Sequence, residues 1–109
     1  MRKTKNVIGF YEGTEYPDRY VIFGNHRDAW VFGAMDPNSG TTIMLEVIKA
    51  FGELYKEGWR PKRSLMFASW GSEEYGLIGS QVMLAFSEKH YINIKIYLFI
   101  YYQTFYRNG

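Results

Sequence analysis

Apolar positions along the chain fall into short unbroken runs and one longer helical pattern, and their order predicts an α/β unit. Asn6-Val-Ile-Gly-Phe-Tyr11 is rich in β-branched and aromatic residues and reads as a strand. Glu12 to Asp18 is a turn region, with Gly13 and Pro17 as breakers. Arg19 to Gly24 is a second strand. Its core, Tyr20-Val-Ile-Phe23, lacks alternation, as in a strand covered on both faces. The short connection predicts that the first two strands form an antiparallel pair. After a polar loop, Asn38-Ser-Gly-Thr41 offers side chains suited to capping a helix. Met44, Val47, Ile48, Phe51, Leu54 and Tyr55 then recur at helical spacing, and Gly58 reads as the C-cap. Gly52, which costs about 1 kcal/mol against alanine inside a helix, suggests close packing there.

Trp59 to Arg63 reads as a basic, solvated connector. Ser64 to Trp70 is a third strand of the doubly buried kind, followed by Gly71-Ser-Glu-Glu-Tyr-Gly76, a loop with adjacent carboxylates. Leu77 to His90 predicts a second helix with Ile78, Val82, Ala85 and Phe86 on one side. His90 is placed to offset the helix dipole. Tyr91-Ile-Asn93 begins another strand. Strand, strand, helix, strand, helix, strand implies helices packed on a mixed, mainly parallel sheet.

Composition narrows the function classes. The 109 residues, 47% hydrophobic, suffice for one small domain. A formal charge of +2, with no Lys/Arg cluster interleaved with aromatics, argues against nucleic acid. The chain has no cysteine, which excludes disulfides and thiolate metal sites. Met1 to Lys5 lacks the apolar run of a signal peptide. Ile94 to Tyr106 is apolar but carries Lys95 and is shorter than the roughly 20 residues of a membrane-spanning helix.

The chemistry concentrates at two strand ends. His26, Asp28 and Asp36 lie in one loop after the second strand, and Glu73 and Glu74 follow the third. In open α/β sheets, sites form beyond the carboxyl ends of strands, so these groups converge on one rim. An imidazole with several carboxylates is a donor set for a divalent metal. Other chemistries lack their motifs. His26-Arg-Asp28 has neither the downstream Asn nor the Gly-rich loop of a kinase, and H-E-x-x-H, G-x-S-x-G and P-loop patterns are absent.

Three stretches carry a family likeness: Gly24-Asn-His-Arg-Asp-Ala-Trp-Val-Phe-Gly-Ala-Met-Asp-Pro-Asn-Ser-Gly40, Gly58-Trp-Arg-Pro-Lys-Arg63, and Phe67-Ala-Ser-Trp-Gly-Ser-Glu-Glu-Tyr-Gly-Leu-Ile-Gly-Ser80. They closely resemble glutamate carboxypeptidase II and the N-acetylated-alpha-linked acidic dipeptidases, which are dizinc peptidases related to the non-catalytic transferrin receptors. The resemblance runs from about Asn6 to Asn93. It implies a partial three-layer α/β/α sandwich over 6–93, with 94–109 a divergent aromatic tail. By resemblance, His26 is a ligand of one zinc, Asp36 bridges both, and Glu74 binds the second. Glu73 is the general base, Asp28 orients the His26 ring, and the Asp36–Pro37 bond is cis.

The resemblance further implies a peptide substrate with acidic residues, homodimeric relatives, and relatives that are type II membrane proteins with an extracellular catalytic domain. No such anchor stands in this chain. By the same resemblance, Lys95 falls at the position of an aspartate that completes the first zinc's shell, and Val82 and Ala85 where close relatives carry acidic calcium ligands. The expectation is a dizinc-peptidase fragment of the carboxypeptidase or dipeptidase type, inactive as this chain alone, with self-association through its aromatic tail. The alternatives are an exopeptidase completed by other chains and a non-catalytic, transferrin-receptor-like interaction protein.

Overall fold

A computed structural model describes residues 3–89 and 99–100. Strands β1 (Val7–Tyr11), β2 (Tyr16–His26), β3 (Arg63–Trp70) and β4 (Phe99–Ile100) alternate with helices α1 (Asn38–Lys56) and α2 (Ile78–Lys89). The sheet order is β1-β3-β2-β4. β2 runs parallel to β3 and to β4, and β1 is antiparallel to β3, so the sheet is mixed and mainly parallel.

The expected pairing of the first two strands is not what the chain adopts, because β3 lies between them. Its positions 64 to 68 are all buried, and only a strand with neighbours on both edges can be covered so completely. The connection between β1 and β2 therefore crosses the start of β3. There Thr14 N–H donates to the Pro61 carbonyl at 2.9 Å, and the Glu15 and Tyr16 N–H groups donate to that of Lys62 at 3.1 and 2.9 Å. Ser64 Oγ accepts from Gly13 N–H at 3.0 Å and donates to the Pro17 carbonyl at 2.8 Å. The basic connector is thus fastened along its backbone, although its charged side chains stay exposed. These bonds also extend β2 back to Tyr16, with an irregularity in register between Tyr16 and Tyr20.

Alternation along the paired strands sends side chains to two faces. Ile22, Met66, Ala68 and Trp70 form a buried cluster on one face, and Met83 of α2 packs against it. On the other face Phe23 stacks on Phe67 at 5.3 Å between centroids, and Phe51 of α1 meets both rings at 6.3 and 6.2 Å. With one helix on each face, the layers are α/β/α. Both helices remain partly uncovered. Ile78, Val82 and Phe86, expected on one side of α2, are exposed, and so are Leu54 and Tyr55 of α1.

α1 begins at Asn38, but no side chain caps it. The first-turn N–H groups that a cap would satisfy go instead to the preceding loop: Asn38 N–H bonds the Gly33 carbonyl and Ser39 N–H that of Met35, each at 3.1 Å. Gly58, at φ +96°, follows the helix as its sequence position implies. A Cβ added at Gly52 would meet only the Tyr11 hydroxyl, at an ordinary 3.5 Å, so the position is not closely packed. The expectations for His90 and for a strand starting at Tyr91 lie outside the described residues. Among those described, no helix is long and apolar enough to cross a membrane.

Candidate metal centre

Parallel pairing of β2 and β3 sets His26 opposite Trp70, so both strands deliver their carboxyl ends to the same rim. Arg27 N–H extends the ladder by one bond, to the Trp70 carbonyl at 2.8 Å. Beyond that point the chain diverges into two loops, one carrying Asp28 and Asp36 and the other Glu73 and Glu74.

The loops are joined by Asp28. Its Oδ1 accepts the Glu73 N–H at 2.9 Å and its Oδ2 the Glu74 N–H at 3.1 Å. The Asp28 carbonyl faces His26 Nδ1 at 2.9 Å. Asp28 thus holds the ring through its backbone, while its carboxylate, 3.7 Å from Nδ1 at the nearest, is committed to the glutamate loop. A carbonyl can only accept, so that contact assigns a proton to Nδ1 and leaves the Nε2 lone pair for another partner.

That partner position is occupied by Asp36, whose Oδ1 lies 2.7 Å from His26 Nε2. A ring nitrogen and a carboxylate oxygen at this separation are hydrogen-bonded as they stand, and both are atoms that a divalent ion takes as ligands. One ligand atom from each of His26, Asp36 and Glu74 lies within 4.8 Å of the other two. Glu73 Oε2 stands 3.9 Å from His26 Nδ1. Four carboxylates around one imidazole form a site that a dication would stabilise. The Arg27 guanidinium is engaged elsewhere, on the Ser69 carbonyl and hydroxyl and the Lys5 carbonyl. The donor set therefore fits a metal ion. His26 and Glu73 side chains are 15% and 20% accessible and Asp36 is 64% accessible, so the site opens to solvent on the Asp36 side.

The Asp36–Pro37 bond is cis, as the resemblance implies. Val31, Ser72 and Leu77 take φ of 58°, 58° and 61°, a region that non-glycine residues seldom enter. Val31 lies in the first loop, and the other two flank Glu73 to Gly76 in the second.

The whole chain except its ends, residues 6–102, matches the model of Peptidase family M28. The chain belongs to this family. Over 81 residues it is 59% identical to an aminopeptidase, NAALADL1, of Rattus norvegicus, a match covering 73% of this chain and 11% of that protein. A probable glutamate carboxypeptidase of Arabidopsis thaliana, LAMP1, is 58% identical over 80 residues, 73% of this chain and 12% of the relative. A probable glutamate carboxypeptidase of Arthroderma benhamiae is 60% identical over 76 residues, 69% and 10% respectively. The chain thus spans about a tenth of the length of these curated relatives. M28 peptidases are generally metal-dependent, in keeping with the His26–Asp36–Glu74 cluster. The M28 chain is a glutamate-carboxypeptidase-like peptidase segment, as its motifs imply.

The sequence motifs contain the groups with obvious chemistry but do not mark those that hold them. Asn25 Nδ2 lies within reach of the His26 carbonyl, the Pro37 carbonyl and Thr41 Oγ1, at 2.7, 3.2 and 2.8 Å. Asn6 accepts Gly71 N–H at 3.1 Å and donates to the Gly79 carbonyl at 2.8 Å, which ties the second loop to the start of α2. An asparagine at a strand end beside a histidine is the only sequence signal for the first, and nothing local signals the second.

Proposed function

We propose that this chain contributes the first part of a dizinc peptidase site in which His26, Asp36 and Glu74 are ligands and Glu73 is the general base. The observation that carries the reading is the approach of the three ligand atoms to within 4.8 Å across two loops. In this reading Asp36 would serve both ions, with His26 a ligand of one and Glu74 of the other. When bound, zinc would supply Lewis acidity toward a water and the scissile carbonyl. Glu73, on the less accessible side, would take a proton from the attacking water and pass it to the leaving amine. Asp28 keeps Glu73 and Glu74 in place through their backbone N–H groups.

The substrate class is a peptide with acidic residues, a proposal supported by the glutamate carboxypeptidase names of several relatives. Assembly as a homodimer, and an extracellular setting for the complete protein, belong to the same proposal. The chain by itself is inactive. Sharing Asp36 leaves each ion with two side-chain ligands from this set, against the usual four, and by resemblance Lys95 replaces an aspartate that would supply one more. Retention of His26, Asp36, Glu73 and Glu74 favours a catalytic lineage over a receptor-like interaction role.

The test pairs metal analysis with turnover of an N-acetylated aspartyl-glutamate dipeptide. Zinc bound by the chain, lost in Asp36→Ala, with no hydrolysis, is the expected result. Turnover abolished by Glu73→Gln would refute inactivity while upholding the site, and absence of zinc binding would refute the site.

A further inference from the structure

We propose that Asn25 is a positioning residue for metal binding, its side-chain amide setting the spacing of His26 and Asp36 by tying together both ends of the loop that carries them. The inference rests on the metal-site reading above. Nδ2 has two hydrogens and three acceptors, so one hydrogen is shared. The acceptors are the His26 carbonyl at 2.7 Å, the Thr41 hydroxyl at 2.8 Å and the Pro37 carbonyl at 3.2 Å. They come from the last residue of β2, the first turn of α1, and the residue directly after Asp36. One amide thus reaches the backbone of one ligand position and the residue adjoining the other.

The seat is made for this side chain. A Cβ on Gly40 would collide with Asn25 Oδ1 and lie 2.9 Å from Cγ, so only glycine in the first turn of α1 leaves room for the amide. The Thr41 hydroxyl also reaches the His26 carbonyl, but at 3.5 Å, too far to replace Asn25. Asn25 and Gly40 also border a cavity of about 220 Å³ lined by Phe23, Ile43, Met44 and Val47, which gives an apolar replacement a compatible neighbourhood.

Leucine has nearly the shape of asparagine and no donors, so Asn25→Leu separates hydrogen bonding from packing. Gly40→Ala displaces the amide while leaving its chemistry unchanged, and alanine is the better helix former by about 1 kcal/mol. Zinc is titrated calorimetrically into the 109-residue chain, with cobalt(II) absorption reporting ligand geometry and circular dichroism reporting folding. Both variants are expected to lose about ten- to a hundredfold in zinc affinity and to change the cobalt spectrum. Thr41→Ser, which keeps the hydroxyl, is expected to bind as the parent does. Should Asn25→Leu fail to fold, Gly40→Ala decides. Parental affinity and spectrum in the folded variants would overturn the inference alone. A parent chain that binds no zinc would overturn it together with the metal site.

Discussion

Asp28 Oδ1 accepts the backbone N–H of Glu73 at 2.9 Å across 45 positions of sequence, and this bond joins the two halves of the candidate site. Glu73 opens a tight turn, its carbonyl accepting from Gly76 and Leu77 N–H at 3.0 and 2.8 Å. The Asp28 carboxylate therefore sits at the free N–H end of that turn, where a negative charge is favoured. Asp28→Asn keeps the shape but presents one N–H donor to another. Bonds to charged groups contribute about 1.5–3 kcal/mol, and the substitution is expected to lower unfolding free energy by about that amount in urea titration. An unchanged midpoint would show that the turn stands without the carboxylate.

What could be read from the sequence, and what could not, divides along the range of the interactions. Strand and helix identities follow from local periodicity, so Val7–Tyr11, α1 and β3 were legible from apolar spacing. The order β1-β3-β2 was not, because it depends on which strand is buried most deeply, a property of the assembled sheet. The missing cap on α1 has the same origin. Asn38 to Thr41 look like capping residues, yet Gly33 and Met35 carbonyls from a folded-back loop reach the first turn. In the site, His26, Asp36, Glu73 and Glu74 announce themselves by chemistry and motif. Asn25 does not, since its three acceptors meet only once β2, the loop and α1 are in place.

A metal that binds the folded chain and not the unfolded one raises stability by mass action, by about 2.7 kcal/mol at a hundredfold excess over its dissociation constant. Zinc is therefore expected to raise the melting temperature of this chain in a concentration-dependent manner, and a chelator should restore the starting value. In Asp36→Ala and Glu74→Ala the zinc-dependent rise should be lost, because each removes one member of the three-ligand cluster. A rise of equal size in those variants would place the zinc elsewhere on the surface.

The first loop holds two left-handed positions with opposite expectations. Val31 takes φ 58°, where its branched Cβ is strained, and its side chain is almost fully exposed, so little packing offsets the strain. Val31→Gly is expected to stabilise the chain by about 1 kcal/mol, within the range of such strain. Gly33 takes φ 59°, and a Cβ there would stand 2.5 Å from the Ala29 Cβ, 2.8 Å from the Asp36 carbonyl and 2.9 Å from Pro37 Cδ. Gly33→Ala is expected to destabilise and also to weaken zinc binding, since the clash falls on Asp36. Thermal melts and zinc titration of the two variants measure both halves. Matching signs would contradict the loop conformation.

Gly13 tests the crossing that separates β1 from β2. Its N–H bonds Ser64 Oγ at 3.0 Å, and a Cβ would meet Arg63 C and Ser64 N, each at 2.6 Å. Those are main-chain atoms of β3, the strand with most to lose by moving, since it is bonded on both edges. The residue above them can lift only by giving up its own bond and those that Thr14, Glu15 and Tyr16 make to Pro61 and Lys62. Gly13→Ala is accordingly expected to cost about 1–3 kcal/mol, as overpacking at a rigid contact does. Gly9, where a Cβ would have nothing within 4 Å, serves as the internal comparison: Gly9→Ala lies in a strand and is expected to be neutral or mildly stabilising. Urea midpoints of the two variants check the contrast. Equal midpoints would mean that the connection does not pass over β3 and that the first two strands pair directly after all.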